Sequence, residues 1–196
     1  MKINTDKQKI NELLTRGVDE VIDKDHLRKK LLSGKIADRR QTIAVHLGGG
    51  QPEKIWPLEY WRQLFALLSD INLVIIGEKG DNELLKQAAD GRLINLLGLE
   101  LRLTAAVIKQ SDLFVGGDSG PGHLAAAVGT PVISIFSAAN NDKIWGVAGA
   151  EIIVEEVDCR HCQANCQSVD CMKSITVERV YQAIRRYLTT VALFKS

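Results

Sequence analysis

The chain has 196 residues, of which 45% are hydrophobic, so it is long enough for one well-buried α/β domain with an appendage but too short for two ordinary domains. Its 25 basic and 24 acidic residues leave a net charge of +1, and no basic run is interleaved with aromatic residues, so we expect no nucleic-acid partner. No apolar stretch reaches the roughly 20 residues that span a bilayer, and residues 1–6 lack an apolar signal-peptide core, so we expect a cytoplasmic protein without a transmembrane segment.

Residues 1–40 are polar and lysine-rich, with two short helical patterns at 7–15 and 25–32 that are broken by glycines. Because this segment has too few apolar residues to form a core of its own, we interpret it as a polar helical appendage. From Gln41 onward, short apolar runs alternate with amphipathic ones. We therefore divide the chain into an appendage at 1–40 and a domain at 41–196.

The alternating pattern predicts βα units and a parallel sheet. Strands are predicted at 42–47, 72–76, 93–95, 113–115, 132–136 and 151–154. Helices are predicted at 58–68, 82–89, 103–109, 123–128 and 176–191, and Thr176 is the predicted N-cap of the last one. Several strands are apolar on both faces, as strands covered by helices on both sides must be. The predicted fold class is therefore α/β, a doubly wound, mainly parallel Rossmann-like sheet, whose ligands bind outside the carboxyl ends of the strands.

The segment after the strand at 113–115 is rich in glycine and leads into an apolar helix. Small residues there allow a ligand to approach the backbone, and a helix N-terminus favours a phosphate group. A tight turn whose glycines serve packing alone, with a histidine satisfied within the core, is the alternative. The candidate ligands of the phosphate are Asp118, Ser119, Gly120, Pro121, Gly122 and His123.

Two further loops follow predicted strands. The loop after residue 47 contains Gly49 and Gly50 and then Lys54, which can neutralise a diphosphate; a mobile loop with a solvated lysine is the alternative. This loop is not a P-loop, because no G-K-[ST] follows at the required spacing. The loop after residue 76 contains Asp81 and Glu83, whose carboxylates can accept hydrogen bonds from ribose hydroxyls, although a helix-capping turn explains the same residues.

With these three loops in this order, residues 43–187 resemble the carboxyl-terminal domain of glycosyltransferase family 9, the heptosyltransferases of lipopolysaccharide core synthesis. The family's strand ending in histidine, followed by a small-residue loop and Lys-x-Trp-Pro, is matched by His46, Lys54, Trp56 and Pro57. Its D-S/T-G-x-x-H-x-x-A-A motif is matched by Asp118, Ser119, Gly120, His123, Ala126 and Ala127. The G-T-P-V segment that enters the next strand is matched by residues 129–132.

The resemblance implies one half of a GT-B architecture, in which this domain binds a nucleotide-sugar donor, typically ADP-heptose. A separate amino-terminal domain then holds a lipid-linked saccharide acceptor and supplies the catalytic base, which we assign to no residue of this chain. The implied reaction is an inverting transfer without a required cofactor, in the cytoplasm or at the inner membrane as a peripheral protein. A second interpretation is a nucleotide-sugar-binding module that is inactive until a partner chain provides the acceptor domain.

The resemblance also implies roles for individual residues. The donor diphosphate is expected on residues 119–122 with Lys54 beside it, while Asp118 and His123 orient the sugar and phosphates. The ribose is expected at Asp81 or Glu83, and the adenine at Gly98 and Leu99. Two departures stand out: family members often carry Thr or Ser where this chain has Gly49 and Gly50, and Ser137 replaces a glycine that usually follows the strand at 132–136.

All four cysteines, Cys159, Cys162, Cys166 and Cys171, lie within 13 residues and resemble a cysteine-rich segment of many family members. Four close thiolates can enclose a structural zinc ion, but the spacing differs from the paired C-x2-C of zinc ribbons. Reduced thiols or facultative disulfides are the alternative.

Residues 1–35 resemble the leader of bacterial tyrosyl-tRNA synthetases. A synthetase requires an H-x-G-H signature and a K-M-S-K-S loop, and the chain contains neither, so a synthetase-related function is disfavoured. A fused or recombined leader and a polar appendage that merely resembles one remain as the two interpretations.

Overall fold

A computed structural model of the chain describes residues 41–81, 93–139, 142–157 and 170–195. The predicted helices at 7–15, 25–32 and 82–89 lie outside the described residues, and so do Glu83, Cys159, Cys162 and Cys166.

The described residues form one six-stranded sheet in which all neighbouring strands are parallel. Its strands are β1 Thr42–His46, β2 Asn72–Ile75, β3 Ile94–Asn95, β4 Leu113–Gly117, β5 Val132–Ile135 and β6 Glu151–Ile153. The spatial order is β3-β2-β1-β4-β5-β6, so the order reverses between β1 and β4. The predicted α/β class with a doubly wound, parallel sheet is confirmed, and all six predicted strands are present.

Helices connect the strands and follow the last one. They are α1 Leu58–Leu67, α2 Leu101–Gln110, α3 Gly120–Ala127, α4 Asp142–Trp145, α5 Asp170–Ser174 and α6 Val177–Lys195, with short 3-10 turns at Pro52–Lys54 and Lys79–Asp81. Helix α3 begins three residues before the predicted start. Its first turn is the glycine-rich segment itself, because Ser119 is extended at φ −156° and ψ 161° and Pro121 fits the first helical turn.

Alternate strand residues point to opposite faces of the sheet and build two apolar cores. On one face Val45 and Val115 pack with α1 and α6; on the other, Ala44 and Phe114 pack with α2 and α3. Helices therefore cover both faces, which explains why several strands are apolar on both faces. The predicted cap of the last helix is also present, since the Arg179 backbone N–H donates to Thr176 Oγ1 at 3.3 Å.

Trp56 connects the loop after β1 to the segment that precedes α6. Its indole N–H donates to the carbonyl of Ile175 at 2.9 Å, and its ring makes edge contacts with Tyr60 and Trp61 at centroid distances of 5.6 Å and 5.0 Å. The Trp56 side chain is 1% exposed. A buried aromatic anchor of this kind holds the start of α1, and with it the preceding loop, in one position.

Within the described part of the chain, no helix combines the length and the apolar character needed to cross a bilayer.

Candidate functional site

A cleft of about 680 Å³ lies where the strand order reverses, at the carboxyl ends of β1, β2 and β4. This is the position at which doubly wound sheets bind ligands. The cleft is lined by His46, Gly48, Gly49, Gly50, Gly77, Glu78, Asp81, Leu99, Leu101, Thr104, Ser119, Gly120, Pro121 and Leu124. Its volume lies in the range that accommodates a nucleotide-sized ligand.

Glycines keep the floor of the cleft open. A Cβ added to Gly49 would lie 2.9 Å from the carbonyl oxygen of Lys54, so no side chain fits there without a backbone shift. Gly50 has φ +69°, and a Cβ at Gly50 or Gly120 would have no atom within 4 Å. The residues at the mouth of the cleft therefore leave space for a ligand, whereas Gly49 is required for the loop to fold over Lys54.

His46 joins two sides of the cleft. It is the last residue of β1, and its Nδ1 lies 3.0 Å from the hydroxyl oxygen of Ser119, the residue before α3. Its Nε2 lies 3.7 Å from Asp81 Oδ2. A histidine at this strand end therefore links the loop after β2 to the loop after β4.

The His46 imidazole is neutral near pH 7. Burial lowers the pKa of His46 below its usual value, and the negative charges of Asp81 and Glu78 offset part of that effect. A neutral imidazole offers one donor and one acceptor, so its two contacts have distinct roles.

Asp81 closes a tight turn after β2. Its Oδ2 accepts the backbone N–H of Glu78 at 2.9 Å, and its own N–H donates to the Glu78 carbonyl at 3.0 Å. This turn passes close to Gly77, where φ is +146° and a Cβ would lie 2.4 Å from Asp81 Oδ2. The loop therefore forms a hydrogen-bonded turn whose carboxylate also lines the cleft, and the predicted helix that this turn would cap lies outside the described residues.

Lys54 and Asp118 form an ion pair, with Nζ 3.0 Å from Oδ2. The Lys54 and Asp118 side chains are 18% and 9% exposed. Neither residue lines the cleft itself, but Lys54 packs against Gly49, and Asp118 precedes Ser119. Because Asp118 adjoins the lining residue Ser119, the ammonium group lies next to the cleft without lining it.

The predicted site residues fall into two groups. The structure brings together at the cleft Gly49, Gly50, Asp81, Leu99, Ser119, Gly120 and Pro121. Lys54 and Asp118 lie next to these residues but not in the lining. Gly122 is buried, and a Cβ added to it would lie 3.3 Å from Val147. His123 and Gly98 are exposed and do not line the cleft. Glu83 lies outside the described residues. The roles predicted for these residues in donor binding stay predictions.

Sequence reasoning used His46 only to match a motif and gave it no place in the site. Its position at the end of a strand was the available signal, since the ends of parallel strands meet at the ligand edge. Leu101 and Thr104 were also missed. They lie in the first turn of α2, which begins two residues before its predicted start, and Leu101 is 64% exposed at the cleft.

Ser137, which follows β5, contacts Cys171 of α5, and neither residue lines the cleft. Ser137 Oγ accepts the N–H of Ala139 at 3.2 Å and lies 3.5 Å from the sulfur of Cys171. Both residues are buried. The serine that replaces the usual glycine therefore fixes the loop after β5 to α5. Among the residues that the structure describes, no cluster of His, Cys, Asp and Glu has metal-binding geometry.

The cleft offers groups that can bind an anion and a nucleoside. The N-terminus of α3 and the backbone of the glycine loop favour a phosphate, with a lysine close behind. Leu99 and Leu101 supply an apolar edge, and the acidic turn at Glu78 and Asp81 supplies acceptors for hydroxyl groups.

Comparison with known proteins identifies the family. The sequence profile described as Glycosyltransferase family 9 (heptosyltransferase) matches residues 13–174. The chain belongs to this family. Lipopolysaccharide heptosyltransferase 1 of Campylobacter coli is 29% identical to this family 9 chain over 133 residues, which are 61% of the chain and 39% of that protein.

Two solved structures share the fold. The family 9 glycosyl transferase from Veillonella parvula matches with a TM-score of 0.72 at 22% identity, over 83% of this chain and 50% of that one. The E. coli heptosyltransferase WaaC with ADP-2-deoxy-2-fluoro heptose matches with a TM-score of 0.61 at 21% identity, over 81% of this chain and 47% of that one. The chain spans half or less of the length of these relatives, and its Rossmann-like fold corresponds to one half of their GT-B architecture.

Proposed function

We propose that this family 9 domain binds the nucleotide-diphosphate sugar donor, ADP-heptose, for inverting transfer to a lipopolysaccharide-core-type acceptor. The observation that carries the proposal is the cleft at the strand reversal, where a helix N-terminus, a glycine floor and an acidic turn meet. The sugar nucleotide is suggested by relatives, since the E. coli enzyme WaaC of the same fold was solved with an ADP-heptose analogue.

In this proposal the diphosphate lies against the first turn of α3 and the glycine loop after β1. Gly120 and Gly50 leave room for it, because neither would place a Cβ near another protein atom. The α3 dipole and the backbone N–H groups then favour its negative charge. The adenosine lies toward Leu99 and Leu101, with the ribose hydroxyls near Asp81.

Lys54 contributes positive charge from beside the cleft. Its ammonium group is held by Asp118 at 3.0 Å, so its position is set before a ligand arrives. Charge develops on the diphosphate as it leaves the sugar, and a fixed cation stabilises that state without reorganisation. These fixed charges do the electrostatic work that a catalytic metal performs in other transferases, and we propose that no cofactor is required.

Transfer of the sugar also needs an acceptor and a catalytic base, which we assign to no residue of this chain. We propose that a lipid-linked saccharide binds opposite the cleft, against an acceptor domain in the same protein or in a partner chain. The base is then supplied from that side. Donor binding without transfer is the alternative, and turnover separates the two.

Calorimetric titration of the full chain with ADP-heptose, ADP and a uridine-based sugar nucleotide tests donor binding. We expect ADP and ADP-heptose to bind more tightly than the uridine compound, with dissociation constants below about 1 mM. Absence of binding by every nucleotide at that concentration would refute the proposal.

Two glycines offer a matched pair of variants. Gly120 and Gly80 both have open space where a Cβ would be, and neither has a positive φ, but only Gly120 lines the cleft. Gly120→Leu is therefore expected to weaken ADP binding by at least about tenfold, or about 1.4 kcal/mol, while Gly80→Leu leaves it within about twofold. Equal affinities of the two variants would show that the nucleotide binds elsewhere.

Release of ADP from ADP-heptose in the presence of a lipopolysaccharide-core acceptor tests transfer. Release by the chain alone supports an active transferase. If release requires the amino-terminal domain of another family 9 protein, the chain acts as a donor-binding module in a split site. Binding without release under either condition would refute the transfer reaction.

A further inference from the structure

His46 lies in the cleft but has no part in the donor binding proposed above. It is 7% exposed, it lines the cleft, and it contacts Ser119 on one side and Asp81 on the other. A side chain that bridges two ligand-binding loops influences how both present their polar groups. Its hydrogen bond with Ser119 and its contact with Asp81 therefore indicate its role.

The neutral imidazole has one preferred arrangement of its hydrogen. Asp81 Oδ2 carries negative charge and faces Nε2, so the hydrogen belongs on Nε2, where it points at the carboxylate. Nδ1 then carries a lone pair and accepts the hydroxyl hydrogen of Ser119 at 3.0 Å. In the empty cleft the single hydroxyl hydrogen of Ser119 is thus shared between His46 Nδ1 and the carbonyl of Gly117, and the hydroxyl presents a lone pair to any incoming anion.

Protonation of His46 reverses this arrangement. The proton adds to Nδ1, which then donates to Ser119 Oγ, so the Ser119 hydrogen is released to point elsewhere. The alternative acceptor already within reach is the carbonyl of Gly117 at 3.2 Å, and a phosphate oxygen at the α3 N-terminus is a stronger one. One proton on the imidazole therefore converts Ser119 from an acceptor toward the cleft into a donor.

The charges around His46 decide when the proton is taken up. Among the described residues, Asp81 and Glu78 face it from the turn after β2, Ser119 faces it from the loop after β4, and the Lys54 ammonium is paired beyond the glycine floor. Burial keeps the imidazole neutral in the empty site. A diphosphate adds two negative charges beside it, and their attraction favours the imidazolium against the desolvation that favours the neutral form.

We propose that His46 takes up one proton from solvent when a diphosphate enters the cleft, and that the imidazolium turns the Ser119 hydroxyl into a hydrogen-bond donor to the phosphate. The inference rests on the proposed function, since it requires that the cleft hold the diphosphate. His46 is then a positioning residue that acts through Ser119. It also compensates the charge that develops on the leaving diphosphate.

Calorimetry of the full chain with ADP-heptose, in two buffers of different ionisation enthalpy, measures the proton directly. The sugar diphosphate is a diester that does not titrate near neutrality, so any proton belongs to the protein. We expect uptake of about 0.5 to 1 proton per ligand near pH 7, and a dissociation constant that increases by up to about tenfold per pH unit as the pH rises. Adenosine, which lacks the diphosphate, should bind without proton uptake.

Two substitutions separate the proton from the shape of the site. His46→Asn retains an amide near Nδ1 but does not titrate, so proton uptake and the pH dependence should both disappear. Ser119→Ala retains the imidazole, so uptake should persist while the affinity falls by about 5- to 30-fold. Unchanged affinity in Ser119→Ala would overturn the role given to the hydroxyl.

The outcomes are distinct. If ADP-heptose does not bind to the wild-type chain, the proposed function fails and this inference fails with it. If it binds with less than about 0.1 proton and a flat pH profile from about pH 5.5 to about pH 8, only the inference fails. If uptake persists in His46→Asn, another group takes the proton and the assignment to His46 is wrong. If His46→Asn does not fold, His46→Gln, which likewise does not titrate, takes its place.

Discussion

Replacing Lys54 by Met separates the two roles of the Lys54–Asp118 pair. Met retains most of the aliphatic length of lysine, so packing against Gly49 is largely preserved while the ammonium is lost. At 3.0 Å and an effective dielectric constant of about 20, the gross Coulomb attraction is about 5 kcal/mol, much of which is offset by the cost of burying both charges. The net value of a hydrogen bond to a charged group, about 1.5 to 3 kcal/mol, is therefore the better guide to the loss.

The loss expected in Lys54→Met can be measured in thermal unfolding and in ADP binding. The midpoint of thermal unfolding should fall by about 4 to 8 °C for a loss near 2 kcal/mol, because a domain of this size loses about 2 to 4 °C per kcal/mol. The dissociation constant of ADP should rise by about 5- to 150-fold, the equivalent of about 1 to 3 kcal/mol. Lys173→Met, which removes an exposed lysine of α5 outside the cleft, is the control and should change neither quantity appreciably.

The double variant with Asp118→Asn distinguishes stability from binding. Asn removes the negative charge that Lys54 balanced, so the double variant should recover much of the lost stability. It should not recover ADP binding, because the ammonium is still absent. If Lys54→Met binds ADP with wild-type affinity, Lys54 has no role in the donor site. If both properties return together in the double variant, the binding defect was a consequence of misfolding.

Three further changes test other contacts. Trp56→Phe removes the indole N–H that donates at 2.9 Å to a buried carbonyl, which should cost about 1 to 3 kcal/mol of unfolding free energy in denaturant titrations; a loss below 0.5 kcal/mol, roughly, would show that the bond is not an anchor. Burial lowers the pKa of His46, so the unfolded chain binds more protons than the folded one below about pH 6.5. The free energy of unfolding should therefore fall as the pH decreases, and less steeply in His46→Gln. Identical profiles of stability against pH for the two proteins would contradict this. Gly49→Ala should destabilise the domain by about 1 to 3 kcal/mol, since its Cβ would lie 2.9 Å from a backbone oxygen, whereas Gly120→Ala, with open space, should cost less than about 1 kcal/mol in the same thermal assay.

The sheet was predictable because its signal is local. Strands such as β2 and β5 are short apolar runs bounded by polar turns, and their burial on both faces requires that composition. The start of α3 was predicted three residues late because Gly120, Pro121 and Gly122 are poor helix formers by intrinsic propensity. They are helical here because the extended Ser119 and the proline set the first turn.

The family resemblance placed Lys54 beside residues 119–122, but the ion pair of Lys54 with Asp118 was not predictable. The sequence places Lys54 and Asp118 in separate loops, and only the parallel register that aligns His46 with Gly116 brings these loops together. The direction of His123 depends on similar detail. Pro121 and Leu124 are three residues apart and share the face that lines the cleft, whereas His123 lies off that face and is exposed. Such relations are set by tertiary geometry rather than by motif spacing.

Lys54 and His46 both affect the balance of charge around a diphosphate in the cleft. Among the described residues that line the cleft, Asp81 and Glu78 are acidic and none is Lys or Arg, so a diphosphate meets net negative charge there. In the proposed donor site, the α3 N-terminus, Lys54 and the proton taken up by His46 together offset that charge. Lys54 is paired with Asp118, the neighbour of the Ser119 that His46 contacts, so removing its positive charge is expected to raise the pKa of His46 in the occupied site. In Lys54→Met, proton uptake on binding of ADP-heptose should therefore persist to higher pH than in the wild-type chain, although the affinity is lower. If the pH at which uptake is half-maximal stays the same or decreases, the Lys54 ammonium does not act on the imidazole of His46.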